Sequence, residues 1–117
     1  MLINLSNHPS ALWEAAQLKA AHIYGEVEDM PFPVVEPEMS TADVARLAET
    51  YAEKLLNRYG TSITVHVMGE MTFTYQVVCH LKAKGICCVA STTERMVQMA
   101  SNLQKVSEFQ FVQFREY

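Results

Sequence analysis

The chain lacks the glycine-rich phosphate-binding motifs of the common nucleotide enzymes. Neither GxxxxGK[ST] nor GxGxxG occurs in its 117 residues, which argues against a nucleoside triphosphatase or a dinucleotide-cofactor enzyme. GxSxG and HExxH are missing as well, so the sequence carries no signature of an α/β-hydrolase or a zinc peptidase. A triad drawn from a serine, His8 and Glu70 has no spacing that fixes its geometry.

Cysteine, long apolar runs and positive charge are also scarce. The three cysteines, Cys79, Cys87 and Cys88, show no CxxC spacing, so we expect reduced thiols and no metal site. No apolar run reaches 18 residues and nothing resembles a signal peptide, so we expect a soluble, cytoplasmic protein with no membrane partner. The net charge of -4 argues against a binder of long nucleic acid, but it leaves room for a small phosphorylated ligand.

The chain does contain a regular alternation of strand and helix patterns. Strands are predicted at residues 2–5, 27–30, 63–68 and 86–90, and helices at residues 10–24, 40–59 and 73–84. In the first helix we expect Leu12, Ala15, Ala16 and Ile23 to face the core. This order predicts one domain over residues 1–117, an α/β fold of three layers with a mostly parallel sheet.

The C-terminal segment is less regular. Residues 94–106 read as a short helix or as the first arm of a hairpin turning at Ser101-Asn102, and the hairpin is favoured. The apolar alternation between residues 108 and 117 slips phase at Val112, which predicts a β-bulge or burial on both sides. We therefore expect the parallel sheet to end in an antiparallel strand or hairpin.

Two polar turns follow strands within residues 62–95. The segments GEMT (69–72) and STTER (91–95) come after predicted strand ends, and so does the loop at residues 6–10. Ligands bind at the carboxyl edge of an open parallel sheet, where loop amides and helix N-termini point. Hydroxyl, imidazole and guanidinium groups suit phosphate and ribose recognition. The candidate ligand-binding residues are Ser6, Asn7, His8, Gly69, Glu70, Thr72, Ser91, Thr92, Thr93 and Arg95.

Several of these residues also have a purely structural interpretation. Thr72 is expected to cap the following helix, and Gly69 to allow a turn that a ligand can approach closely. For residues 91–93 the structural interpretation is a capped turn. His66 lies within a predicted strand and is expected to be a partly buried histidine with its hydrogen bonds satisfied.

In these loops the chain resembles small CRISPR-associated proteins. Ser6-Asn7-His8-Pro9, Gly69-Glu70-Met71-Thr72 and Ser91-Thr92-Thr93-Glu94-Arg95 occupy positions similar to the ligand loops of CRISPR-associated Rossmann-fold (CARF) domains and ring nucleases. The resemblance covers nearly the whole chain. It implies a Rossmann-like homodimer that binds a cyclic oligoadenylate of type III CRISPR signalling across its two-fold axis, without a cofactor. Ring nucleases often carry a more basic ligand face than the single Arg95 found in these loops.

Three hypotheses follow. The first is a metal-independent ring nuclease, in which a ribose 2′-hydroxyl attacks the adjacent phosphate and leaves a 2′,3′-cyclic phosphate. Arg95 would stabilise charge on the phosphate, and His8 or Glu70 would assist proton transfer. The second is a non-catalytic buffer or sensor of the same messenger. The third is a small dimeric interaction protein without enzymatic activity, acting through the aromatic strand of Phe109, Phe111 and Phe114.

Overall fold

The computed structural model describes residues 1–99 and 105–117, which form a Rossmann-like α/β fold. Its sheet has five strands in the order β2-β1-β3-β4-β5, with β1 to β4 parallel and β5 antiparallel to β4. This confirms the predicted fold class. The elements in chain order are β1 (Leu2–Ser6), α1 (Ala15–His22), β2 (Val27–Asp29), α2 (Thr41–Tyr59), β3 (Thr64–Met68), α3 (Met71–Ala83), β4 (Cys87–Met99) and β5 (Lys105–Glu116).

Helices cover both faces of the sheet, which gives the three layers. On one face, Ile3 and Val65 pack with the buried residues of α2 and α3, such as Leu55 and Leu81. On the other face, Leu2 and Val89 pack against Trp13, which lies just before α1, and against α1 itself. Every residue of β1 is buried, because a central parallel strand is covered on both sides. No helix among the described residues is long and apolar enough to cross a membrane.

The first helix differs from the prediction. A short 3-10 turn at Ser10–Leu12 is followed by a break, and α1 then starts after Glu14, which has extended backbone angles. The break changes which side chains face the sheet. Leu12 is 65% exposed and Ile23 84% exposed, so the predicted core face was wrong. Ala15 and Ala16 are exposed too, and the buried residues are Trp13, Gln17 and Ala21.

The predicted turn at residues 91–95 is absent, because β4 continues straight through it. Ser91 pairs with Phe114 and Arg95 with Phe109. β5 therefore provides hydrogen-bond partners for backbone groups of residues 91–95 that would face solvent in a turn. The favoured hairpin is confirmed, but its predicted turn at Ser101-Asn102 lies outside the described residues. Thr92 pairs with Gln113 and Thr93 with Phe111, which leaves Val112 as the extra residue of a β-bulge, as predicted.

Candidate functional site

The strand order places a topological switch point between β1 and β3. The chain leaves β1 for β2 on one side and later returns to β3 on the other, so the connections diverge above Ser6 and Met68, which are register partners. In open α/β sheets the crevice at such a point is the usual ligand site. A cavity of about 390 Å³ opens here. It is lined by Ser6, Asn7, His8, Leu12, Glu14, Gln17, His66, Met68, Ser91, Thr93, Phe109 and Phe111.

Half of the predicted ligand-binding residues line this cavity. Ser6, Asn7, His8, Ser91 and Thr93 come together there from the β1 loop and from β4. The other half lie elsewhere: Gly69, Glu70, Thr72, Thr92 and Arg95 are not part of its lining. The cavity also includes His66, which the sequence had suggested only as a structural residue.

The loop after β1 is held by hydrogen bonds around Asn4 and Asp29. The Asn4 amide nitrogen donates to Asp29 Oδ1 at 2.8 Å and to the His8 carbonyl at 3.0 Å. Ser10 donates to Asp29 through its backbone N–H and its hydroxyl. Trp13 Nε1 donates to the same His8 carbonyl. Burial opposes ionisation of Asp29, but these hydrogen bonds outweigh it and hold its pKa below the ordinary value. The backbone of His8 is thereby fixed at the cavity rim, and its side chain is exposed there.

His66 forms the floor of the cavity and is only 2% exposed. Its Nδ1 lies 2.9 Å from Asn4 Oδ1, and its Nε2 lies 3.3 Å from Ser91 Oγ. The rings of Trp13 and Phe114 pack edge-on against the imidazole, each with a centroid distance of 5.4 Å. Burial, with a smaller contribution from the charge of His8, lowers the pKa of His66 from 6.5 to about 4. The imidazole is therefore neutral at neutral pH.

Asn4 was not among the predicted site residues, and His66 was expected to have only a structural role, although a feature of the sequence distinguishes both. Each is a polar residue between apolar neighbours, in the segments INL and VHV, within strands that are otherwise buried. The two residues are register partners on adjacent strands. Polar side chains at the centre of a fully buried strand need each other as hydrogen-bond partners, which makes such pairs worth noting in a sequence.

Gly69 is needed for a reason other than the expected turn geometry. A Cβ atom on Gly69 would lie 2.3 Å from Cζ of Phe32, so the Phe32 ring occupies the space of a side chain. Phe32 also packs edge-on against Phe73, with centroids 5.1 Å apart. The loop at residues 31–35 thus crosses the upper edge of the sheet. The close approach to Gly69 is made by this loop. A second, shallower cavity of about 500 Å³ lies against the loop and includes Asn7 and Glu70.

Glu70, and not Thr72, caps α3. Its carboxylate accepts hydrogen bonds from the backbone N–H of Thr72 and of Phe73, at 2.8 and 2.9 Å, and from the Thr72 hydroxyl at 2.7 Å. Thr72 lies inside the first turn of the helix, so the cap prediction was wrong by two positions. The hydrogen bonds from Phe73 and Thr72 lower the pKa of Glu70. An ionised, fully engaged carboxylate is a weak proton acceptor.

The β4 residues divide between the two faces of the hairpin. Ser91 and Thr93 face the cavity, whereas the Thr92 hydroxyl bonds the backbone of Gln113. Strand alternation puts Arg95 on the face of Ser91 and Thr93, one step beyond the cavity and beside Phe109. A ligand that fills the cavity and extends along the hairpin would meet Arg95.

These features define a small α/β domain with a ligand-sized cavity at its switch point. Among the residues that the structure describes, no group of three or more His, Cys, Asp or Glu side chains is placed to hold a metal ion. The chain belongs to the Uncharacterized protein MJ1673 family, whose model matches residues 1–115. No curated protein and no solved structure gave a significant match.

Proposed function

We propose that this protein binds a cyclic oligoadenylate in the switch-point cavity and cleaves it without a metal. The observation that carries the proposal is the composition of the cavity, which combines polar side chains with aromatic rings. Asn7 and His8 offer hydrogen bonds to ribose and phosphate. Phe109, which is 66% exposed, and Phe111 offer faces on which adenine can stack.

The size of the cavity suits one nucleotide unit better than a whole ring. Its 390 Å³ lies near the lower end of the range for small-ligand sites, about 300–1,000 Å³. A homodimer would present two such cavities to one cyclic ligand, related by a two-fold axis that matches the symmetry of an even-membered ring. This is the arrangement that the resemblance to ring nucleases implies.

Cleavage would proceed by attack of a ribose 2′-hydroxyl on the adjacent phosphorus. The O2′–P bond forms, the P–O5′ bond breaks, and a proton passes from the 2′-hydroxyl to a base while O5′ gains one. We assign proton transfer to His8, because its imidazole is exposed at the rim, whereas the Glu70 carboxylate is engaged in capping α3. Arg95, one step along the hairpin, would stabilise negative charge on the phosphate oxygens.

The test is incubation of pure protein with cyclic tetra-adenylate and a chelator, followed by separation of the products. Linear fragments with a 2′,3′-cyclic phosphate support the proposal. His8→Ala should lose cleavage and keep binding, and Arg95→Ala should weaken binding by about tenfold. Arg46→Ala is the matched control, because Arg46 is exposed on α2 in the opposite layer. An absence of binding at micromolar protein would rule out the proposal.

A non-catalytic buffer of the same messenger is the second candidate. The loops at residues 6–10, 69–72 and 91–95 contain one arginine and no lysine, which favours binding over charge-stabilised cleavage. Tight binding of cyclic tetra-adenylate without turnover would support this alternative. An interaction protein remains the third candidate, because Phe109 and Val112 are exposed apolar residues on the hairpin. It would be favoured if no cyclic oligonucleotide binds.

A further inference from the structure

We infer that Ser91, His66 and Asn4 form an activated-serine relay on the cavity floor, with Ser91 as a nucleophile toward small acyl esters and related phosphonyl electrophiles. The inference goes beyond the proposed oligonucleotide activity, because it assigns a covalent chemistry to residues that the proposed cleavage does not use. It rests on the hydrogen-bond geometry among three side chains from three adjacent strands.

The hydrogen bonds of Asn4 fix which nitrogen of His66 carries the proton. The Asn4 amide nitrogen is committed to two acceptors, the Asp29 carboxylate and the His8 carbonyl. Its oxygen must therefore be the atom facing His66 Nδ1 at 2.9 Å, and Nδ1 is the donor. The lone pair of Nε2 then points toward Ser91 Oγ, 3.3 Å away. This is the order of nucleophile, base and orienting group that activates a serine.

Ser91 is the group through which His66 can act on a ligand. The imidazole is 2% exposed and lies below the cavity surface, whereas Ser91 is half-buried and lines the cavity. The Ser91 hydroxyl donates to Met68 Sδ, 2.9 Å away, in the ligand-free protein. A thioether is a weak acceptor compared with a neutral imidazole, so rotation of the hydroxyl toward Nε2 passes the proton to the stronger acceptor.

The chemistry is a two-step acyl transfer. Ser91 Oγ bonds to the acyl carbon and its proton moves to His66 Nε2; the ester C–O bond then breaks and the leaving alkoxide takes that proton. Water hydrolyses the acyl-serine in the same way, giving one proton to Nε2, and the proton returns to Ser91 Oγ. Asn4 carries no negative charge to stabilise the imidazolium, and burial already lowers the pKa of His66 to about 4, so we expect slow turnover, with the acyl-serine persisting as a covalent adduct.

The experiment treats the folded protein with a short-chain alkyl fluorophosphonate and measures the adduct by intact mass and peptide mapping. In this reaction Ser91 Oγ displaces fluoride from phosphorus and loses its proton to His66. We expect a single adduct on Ser91, and labelling slower by about tenfold or more in Ser91→Ala and His66→Gln. Thr50→Ala is the matched control, because it removes an exposed hydroxyl on α2, away from the cavity, and it should label at the original rate.

Two results would overturn the inference. One is labelling of the folded protein no faster than of the urea-unfolded protein, and the other is an adduct on another residue such as Ser6 or Ser10. Both measurements use the original sequence, so they hold even if His66→Gln fails to fold. The readout contains no nucleotide, which separates the failure of this inference from the failure of the proposed ring cleavage.

Discussion

Lowering the pH from 6.5 to 5 should destabilise this protein through His66. The folded state holds the imidazole neutral, with a pKa of about 4 instead of 6.5, because the ring is buried between Trp13 and Phe114. The unfolded chain takes up a proton first as the pH falls. The stabilising contribution of His66 is therefore fully present above pH 6.5 and is lost progressively as the pH falls toward 4.

The magnitude follows from the two pKa values. Each pH unit below 6.5 removes about 1.4 kcal/mol once the unfolded histidine is protonated, so the fall from pH 6.5 to 5 approaches about 2 kcal/mol. That is a large part of a typical unfolding free energy of about 5–15 kcal/mol. Asp29, Asp43 and Glu70 have lowered pKa values, so the stability they contribute is lost only below about pH 4.5. They therefore do not titrate in this interval.

Urea unfolding followed by tryptophan fluorescence is a suitable assay. Trp13 is the only tryptophan of the chain, and its ring packs against His66, so the signal reports on this part of the core. The unfolding free energy is extrapolated to water at pH 7, 6.5, 6, 5.5 and 5. We expect a slope that steepens as the pH falls.

The comparison with His66→Gln decides the outcome. This variant removes the titrating group and should be less stable at pH 7, but nearly independent of pH between 6.5 and 5. His8→Ala is the matched control and should keep most of the slope, because burial is the main cause of the low pKa of His66. The reasoning would be refuted if the original protein and His66→Gln showed the same dependence on pH.

Three further predictions concern stability. Gly69→Ala should lower the unfolding free energy by about 1–3 kcal/mol, because the new Cβ would meet the Phe32 ring. In a Phe32→Ala background the same change should cost much less. Additive losses of the two variants in urea unfolding would contradict the proposed clash. Glu70→Gln should lower the urea midpoint at pH 7, because it weakens the cap of α3. The difference in midpoint between the original protein and the variant should become smaller below pH 4.5, where the carboxylate is protonated. A difference that does not change with pH would argue against a carboxylate cap. Ser40→Ala should cost about 1 kcal/mol, because it breaks the capping box with Asp43, and an unchanged melting temperature would show that α2 does not depend on this cap.

The polar edge of the sheet was only partly predictable. The loop at residues 6–10 was placed correctly because Pro9 and the polar residues around it break the β1 pattern. Residues 91–95 were misread because a polar stretch after a buried strand resembles a turn when its partner strand is unknown. β5 lies antiparallel to this stretch and turns it into the continuation of β4. The partial or full exposure of these side chains, and not a change of backbone, accounts for their polarity.

The sequence by itself determined the alternation of strands and helices, and therefore the layered α/β fold with a C-terminal hairpin. Those features depend on local periodicity, on capping residues and on a phase slip at Val112, all of which are visible in one chain. Only the tertiary structure decided that Asn4, His66 and Ser91 meet. They are 62 and 25 residues apart, and their contact depends on strand order and register. Alternation in a sequence specifies which face a side chain occupies, but it does not specify which residue of the neighbouring strand lies beside it.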